Sequence, residues 1–235
     1  MNTVQSARKR GVRAEVPITR EIIVTTAFRI IEERGLEQFS MRSLATELGV
    51  FPATLYWHVG DRSQLLGQVE FRWIEQVELP NHLTDWREWM AELARRYRRN
   101  AFACPNVARL ASLERARNNE SLTIPDAIVG TLAELGLGDQ MVHAYNTLMG
   151  AVRGFVVMEL APRAEPDVAD DVEADLRSLD PEQFPNITAH FDQMADHALS
   201  MRWSDSAEHP LDDSFEFLLK VLLDGLAAQL PRKRK

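Results

Sequence analysis

The feature that most constrains this chain is the run of helix starts and stops packed into residues 19–61. Thr19 stands where an N-cap is needed, with Ile18 ahead of it and Ile23 beyond to staple the chain's entry into the helix. Ile23, Ala27, Phe28 and Ile31 then recur at helical spacing until Gly35, a residue type that ends helices. Ser40 caps a second, shorter segment with inward residues Leu44, Ala45 and Leu48, and Gly49 closes it. Pro52 takes the first-turn position that suits proline and opens a third helix through Tyr56, Trp57 and His58, which Gly60 breaks. Asp61 with Gln64 makes the capping box of a fourth. Four helices are expected between residue 19 and about residue 78.

Past Pro80 the pattern stays helical. Trp86, Trp89, Met90, Leu93 and Tyr97 form one apolar stripe. A short helix is expected over 106–115, and another through Ile124, Ile128, Leu132 and Leu135 before Gly136. Residues 139–160 and 213–230 read as helices apolar over more than one face. Between them, residues 163–182 are acidic and carry Pro166 and Pro181, which predicts a loop enclosing at most a short helix near 170–178. No strand-like segment exceeds a few residues, so the expected fold is all-α.

Composition narrows the function. The single cysteine, Cys104, excludes an intrachain disulfide framework and fits a reducing cytoplasm. The opening residues lack the apolar core of a signal peptide, and no run of 18 apolar residues occurs, so a soluble cytosolic protein without membrane association is expected. The net charge of -8 hides a split: residues 1–62 carry nine Arg or Lys against seven Asp or Glu, and the acidic excess lies beyond them. A basic head on an acidic body suits a chain that meets phosphate at one end. Arg8-Lys9-Arg10 and the terminal Arg232-Lys233-Arg234-Lys235 read equally as nucleic-acid contacts or as solvated ends. No Gly-rich phosphate loop follows a strand, and neither an HExxH motif nor paired cysteines occur. Catalysis is therefore not expected, no cofactor is implied, and the six histidines show no metal-ligand spacing.

The stretch from Phe39 to Leu66 carries the most information. Ser40 to Leu48 reads as a support helix, Gly49-Val50 as a turn, and Pro52 to His58 as a second helix held at a large angle, with Ala45 small where the two cross. In such a helix-turn-helix the second helix enters the major groove and the first crosses the backbone. This segment, with TLYWHV at 54–59, resembles the TetR family of bacterial repressors, in particular the tetracycline-repressor-like members. The resemblance implies a three-helix DNA-binding domain joined by a connecting helix to a larger helical domain that binds an effector and dimerises. It divides the chain into a flexible basic arm at 1–17, a DNA-binding domain at 18–65, an effector and dimer domain at 66–230, and a basic tail at 231–235. It makes Arg42 a base or phosphate contact and Tyr56, His58 and Arg62 phosphate contacts. Ser40, Met41, Phe51, Pro52, Ala53 and Thr54 complete the candidate DNA-binding set. Phe51 and Pro52 are less polar than in the tetracycline repressors, and Phe51 and Ala53 suit a thymine methyl group. Trp57 is expected in the core between the first and fourth helices, and Tyr56 reads as a backbone contact or as core.

One helix reads few base pairs, so a palindromic double-stranded operator calls for two heads at fixed spacing. The two broadly apolar helices resemble the family's dimerising bundle. The candidate interface is Tyr145, Val152, Phe155, Val156, Phe215, Leu218, Leu219, Leu222 and Leu226, with Gly150 and Gly154 permitting close approach. For a small, largely apolar effector the candidate lining is Trp86, Trp89, Met90, Tyr97, Phe102, Leu110 and Met149, with Arg109, His143 and Asn146 as polar groups; each also reads as ordinary core or surface. At the family's two chelate-binding histidine positions this chain has Glu78 and Leu110, which speaks against a metal-chelated tetracycline. The fourth helix is expected to carry effector-domain movement to the head, because it joins the two parts.

Overall fold

The computed structural model describes residues 17–81, 85–113, 122–161, 166–195, 197–199 and 211–231. The basic runs at 8–10 and 232–235 lie outside them. All regular structure among the described residues is helical, and none of these helices is long and apolar enough to cross a membrane. The chain forms two compact units. One, the head, holds the described residues up to Gln76 together with those from Cys104 to 113; the other, the body, holds the rest.

The head begins with α1 (Arg20–Arg34), α2 (Met41–Glu47), α3 (Pro52–Val59) and α4 (Arg62–Ile74). Each start follows the local chemistry of the sequence. The Thr19 hydroxyl accepts from the Ile22 N–H at 3.3 Å. Ser40 and Ser43 exchange side-chain and backbone hydrogen bonds at 3.0 Å, and Asp61 and Gln64 do so at 2.8 and 2.9 Å. These bonds satisfy N–H groups that a helix start leaves without an internal acceptor. Gly60, with φ of 75°, supplies a left-handed stop between α3 and α4. Ile23, Ala27 and Ile31 of α1, Leu44 and Ala45 of α2, Leu55 and Val59 of α3, and Leu65, Leu66 and Trp73 of α4 make the buried core.

A fifth helix completes this unit. α5 (Trp86–Ala103) belongs to the body, but α6 (Pro105–Leu113), directly after it, packs on α1 and α4. Its Val107 and Leu110 are buried. The first turn of α6 is tied to α1: the Asn106 side-chain amide donates to the Glu32 carbonyl at 2.8 Å, and the Val107 N–H donates to Glu32 Oε2 at 3.1 Å. The compact head thus extends beyond the expected boundary at residue 65. The chain passes between the units after Gln76, before Cys104 and again before Leu122, so α4 is not their sole covalent connection.

In the body, α5, α7 (Thr123–Glu134), α8 (Met141–Glu159) and α12 (Asp212–Ala228) supply the core; α8 packs on α5, α7 and α12. Arg98 of α5 is its polar hub. The guanidinium grips Glu159 of α8 through two bonds of 2.8 and 2.5 Å and reaches Asp212 of α12 at 2.6 Å. It also lies over the Phe102 and Phe215 rings at 5.1 and 4.9 Å. Burying the Glu159 carboxylate is tolerable only with such pairing.

The acidic stretch departs from its expected loop. α9 (Pro166–Arg177) is a full helix, followed by the short α10 (Pro185–Ala189) and α11 (Phe191–Met194). Pro166 begins α9 rather than breaking it. Arg177 offsets the repulsion among the carboxylates by pairing with Glu173 and Asp192 while stacking 4.6 Å over Phe191. Phe191 with Val172, Leu176, Ile187 and Met194 forms a small separate core.

Candidate functional site

The exposed surface of the helix-turn-helix gathers most of the expected DNA-binding residues. Along α3, Leu55 and Val59 point inward, four residues apart. At about 100° per residue, positions 53, 56 and 57 must then face away from the core. Phe51, Pro52, Ala53, Tyr56 and Trp57 are exposed, while Thr54 and His58 are half-buried. Arg42 is exposed on α2, and Arg62 is exposed at the first position of α4, its guanidinium 5.9 Å from the Phe39 ring centroid.

Two of the expected roles change. Trp57, expected in the core, is 82% exposed, because it lies roughly 200° around the helix from Leu55. The Leu55–Val59 spacing carries that information, but the size of the indole argued the other way. Met41, expected among the base-reading residues, is only 8% exposed; it is the first residue of α2 and packs into the head. Ser40 is exposed, and its hydroxyl makes the α2 cap expected of it.

Two further features of the site escaped the sequence. The Arg20 Nε–H donates to the His58 carbonyl at 3.1 Å, satisfying one of the acceptors left over at the end of α3. Arg29 and Arg34 of α1 both reach Glu47 of α2, at 2.6 and 3.5 Å. The Arg29 hydrogen bond holds the Glu47 carboxyl below its usual range. These long-range contacts fix the support helix and have no sequence-local trace.

The residues expected to line an effector pocket are divided between the two units. Leu110 is buried in the head, and Arg109, also on α6, donates to Asn106 at 2.9 Å. Trp86, Trp89, Met90, Tyr97 and Phe102 lie along α5: Met90 is buried and the other four are half-buried. The Trp89 indole N–H is bonded to the Pro80 carbonyl at 3.0 Å. His143 and Asn146 are exposed on α8, and Met149 is half-buried. His143 instead lines an open groove between α8 and α12, with Leu137, Thr147, Val221, Leu222 and Gly225.

The expected dimer residues divide by burial. Val156, Phe215 and Leu219 are buried within the protomer. Phe155 is half-buried with its ring 5.5 Å from that of Phe215, and Tyr145, Val152, Leu218, Leu222 and Leu226 are also half-buried. The outward apolar residues are Val142 and Met158 on α8 and Phe217 and Val221 on α12, of which Phe217 is 68% exposed. On α12, Phe215, Leu219 and Leu223 repeat at helical spacing toward the core, while Phe217 and Val221 run along the opposite side. Gly150, Gly154 and Gly225 have nothing within 4 Å of where a Cβ would stand, so this face admits close backbone approach.

Two family models match the chain. Residues 23–69 match the description "Bacterial regulatory proteins, tetR family", and residues 79–230 match "Tetracyclin repressor-like, C-terminal domain". ActR of Streptomyces coelicolor, solved in complex with actinorhodin, is similar in structure with a TM-score of 0.74 and 28% identity, over 93% of this chain and 99% of that one. An HTH-type transcriptional regulator of Saccharopolyspora erythraea is 28% identical over 62% of this chain, a match that spans only 61% of the relative. An HTH-type transcriptional repressor of Mycobacterium tuberculosis is 24% identical over 100% of this chain and 89% of its own length.

Proposed function

The chain belongs to the TetR family of bacterial regulatory proteins, and from that premise we propose that it is a homodimeric repressor that occupies a palindromic operator and leaves it when a small molecule binds the body. The observation that carries this reading is the outward presentation of Phe51 to Ala53, Tyr56 and Trp57 on α3, flanked by exposed Arg42 and Arg62. α3 is a helix with an inward edge committed to the head core and an outward edge free to enter a major groove. The two arginines flank it where phosphates would pass.

The dimer follows from α8 and α12. Val142, Met158, Phe217 and Val221 expose apolar surface on two neighbouring helices, with glycines between them. A second copy offering the same face would bury it in an isologous four-helix contact. An effector is supported by ActR, whose structure holds actinorhodin. The aromatic stripe of α5 supplies the apolar surface that such a ligand needs. The role is binding rather than catalysis. Coupling must be reciprocal: an effector that weakens DNA binding is itself weakened by DNA.

The test begins with a duplex selected from a randomised pool by the full-length protein, followed by titration at moderate salt. Arg42→Ala and Arg62→Ala should each lower affinity and flatten its salt dependence, as expected on losing one phosphate contact. Phe217→Asp combined with Val221→Asp should give a monomer by sedimentation, with affinity for the full palindrome falling at least tenfold and affinity for a half-site unchanged. Two arginine variants that bind as tightly as the parent would overturn their assignment as phosphate contacts, and failure to select any duplex would remove the DNA reading.

A further inference from the structure

The leading turn of α3 has an unusual chemistry for a groove-reading helix. Phe51, its N-cap, is 83% exposed, and Pro52 and Ala53 are also exposed. None of the three side chains carries a hydrogen-bond donor or acceptor. Pro52 has no backbone N–H, and the Thr54 N–H is already bonded to the Phe51 carbonyl at 2.9 Å. Behind them, Tyr56 and Trp57 stand one helical turn after Pro52 and Ala53, continuing the same outward edge.

Base edges in the major groove display donors and acceptors, and thymine alone among the four standard bases adds a methyl group. An apolar side chain cannot satisfy a base's polar edge, and burying such an edge without a partner is unfavourable. The groove feature that Phe51, Pro52 and Ala53 can complement is therefore the C5-methyl of a pyrimidine. The N-terminal residues of a recognition helix are the ones that meet base edges, so this turn occupies the reading position. Exposure of this degree for a phenylalanine also leaves a large apolar surface that gains by leaving water.

Resting on the DNA-binding reading above, we infer that this protein selects its operator half-site through C5-methyl contact made by Phe51, rather than through hydrogen bonds from the leading turn of α3. Hydrogen-bonded base reading then falls to Thr54, directly behind that turn.

Deoxyuridine scanning tests this directly, because it removes the thymine methyl and keeps Watson–Crick pairing. In the duplex selected by the full-length protein, each thymine of a half-site is replaced in turn. One or two positions should lose about fourfold in affinity per methyl, the ratio expected for one buried carbon. Phe51→Ala should bind more weakly and lose that sensitivity, while Phe51→Leu, still apolar, should retain it. Cytosine and 5-methylcytosine placed at the sensitive position separate the two sources of a methyl group: tighter binding of the methylated base shows that the methyl itself is read. Equal affinity for those two bases, uridine substitution without effect at every position, or sensitivity that persists in Phe51→Ala overturns the inference. Failure to select any duplex would instead remove the DNA reading on which it rests.

Discussion

The head and the body bury their apolar residues by different rules. Each of the first four head helices turns one edge inward, and the apolar residues left outside are concentrated at α3, where Phe51, Tyr56 and Trp57 stand exposed. In the body, α8 and α12 carry apolar residues on both sides: Val156, Phe215 and Leu219 inward, Val142, Met158, Phe217 and Val221 outward. One pattern suits a unit completed by its own chain and open only toward a ligand. The other suits a unit whose fold continues across a second copy. Their polar anchors differ as well. The head combines local caps and solvent-exposed ion pairs with the Glu32 tie to α6, and the body adds to exposed pairs of its own an arginine holding a fully buried carboxylate.

The sharpest way to separate the two is to attack that carboxylate. Arg98→Met leaves Glu159 buried without its two-bond partner, and loss of one member of such a pair typically costs about 3–5 kcal/mol. The expected result in urea unfolding is a body transition shifted by that amount, with the head unaffected. Adding Glu159→Leu should recover most of the loss, because an apolar pair of similar volume removes the buried charge along with its partner. A single variant that unfolds like the parent would show that the body does not depend on this hub.

A smaller effect is expected in the head from Gly60→Ala. With φ of 75° and ψ of -141°, residue 60 adopts a backbone that only glycine enters freely, at a cost to other residues of about 1–3 kcal/mol. The new Cβ would also overlap Gln64 Oε1, displacing the side chain that closes the α4 capping box. Loss of a cap adds about 1 kcal/mol. Denaturation should show the head destabilised by about 2–4 kcal/mol and the body unchanged, the mirror image of Arg98→Met.

These two sites also show what a sequence makes legible. The Gly60-Asp61-Gln64 device is readable because its partners lie within one turn, as are the Thr19 and Ser40 caps. The all-α fold and the helix-turn-helix follow from such local signs. Arg98 meets Glu159 at a separation of 61 residues, and nothing local to either residue announces the other. The same limit applies to surfaces. Helical periodicity identifies that α12 has apolar residues on two sides, but which side faces the protomer depends on where α5 and α8 stand. Phe215 and Leu219, expected at the dimer face, therefore turned out to be core. Leu110 moved from an expected pocket to the head core because α6 returns to the unit that α5 has left.

The smallest effect expected is at that return, where the Glu32 carboxyl of α1 holds the first turn of α6. Burial pushes the Glu32 carboxyl above its usual range, against the hydrogen bonds of the α6 backbone and the charge of Arg109 that pull it down. A carboxyl raised in the folded state contributes most below its unfolded pKa, and that contribution is lost as pH rises through the folded value. Glu32→Gln keeps an oxygen for the Val107 N–H and has no proton to lose. Its melting temperature relative to the parent should therefore rise as pH increases from about 4 toward neutrality, through the carboxylate range and just above it. A constant difference across that interval would mean that Glu32 does not titrate differently on folding. A relative fall would mean that the charged form at the start of α6, favoured by the helix dipole, outweighs the cost of its burial. In that second case the joint between α1 and α6 would resemble the buried charge pair of the body more than the hydroxyl caps of Thr19 and Ser40.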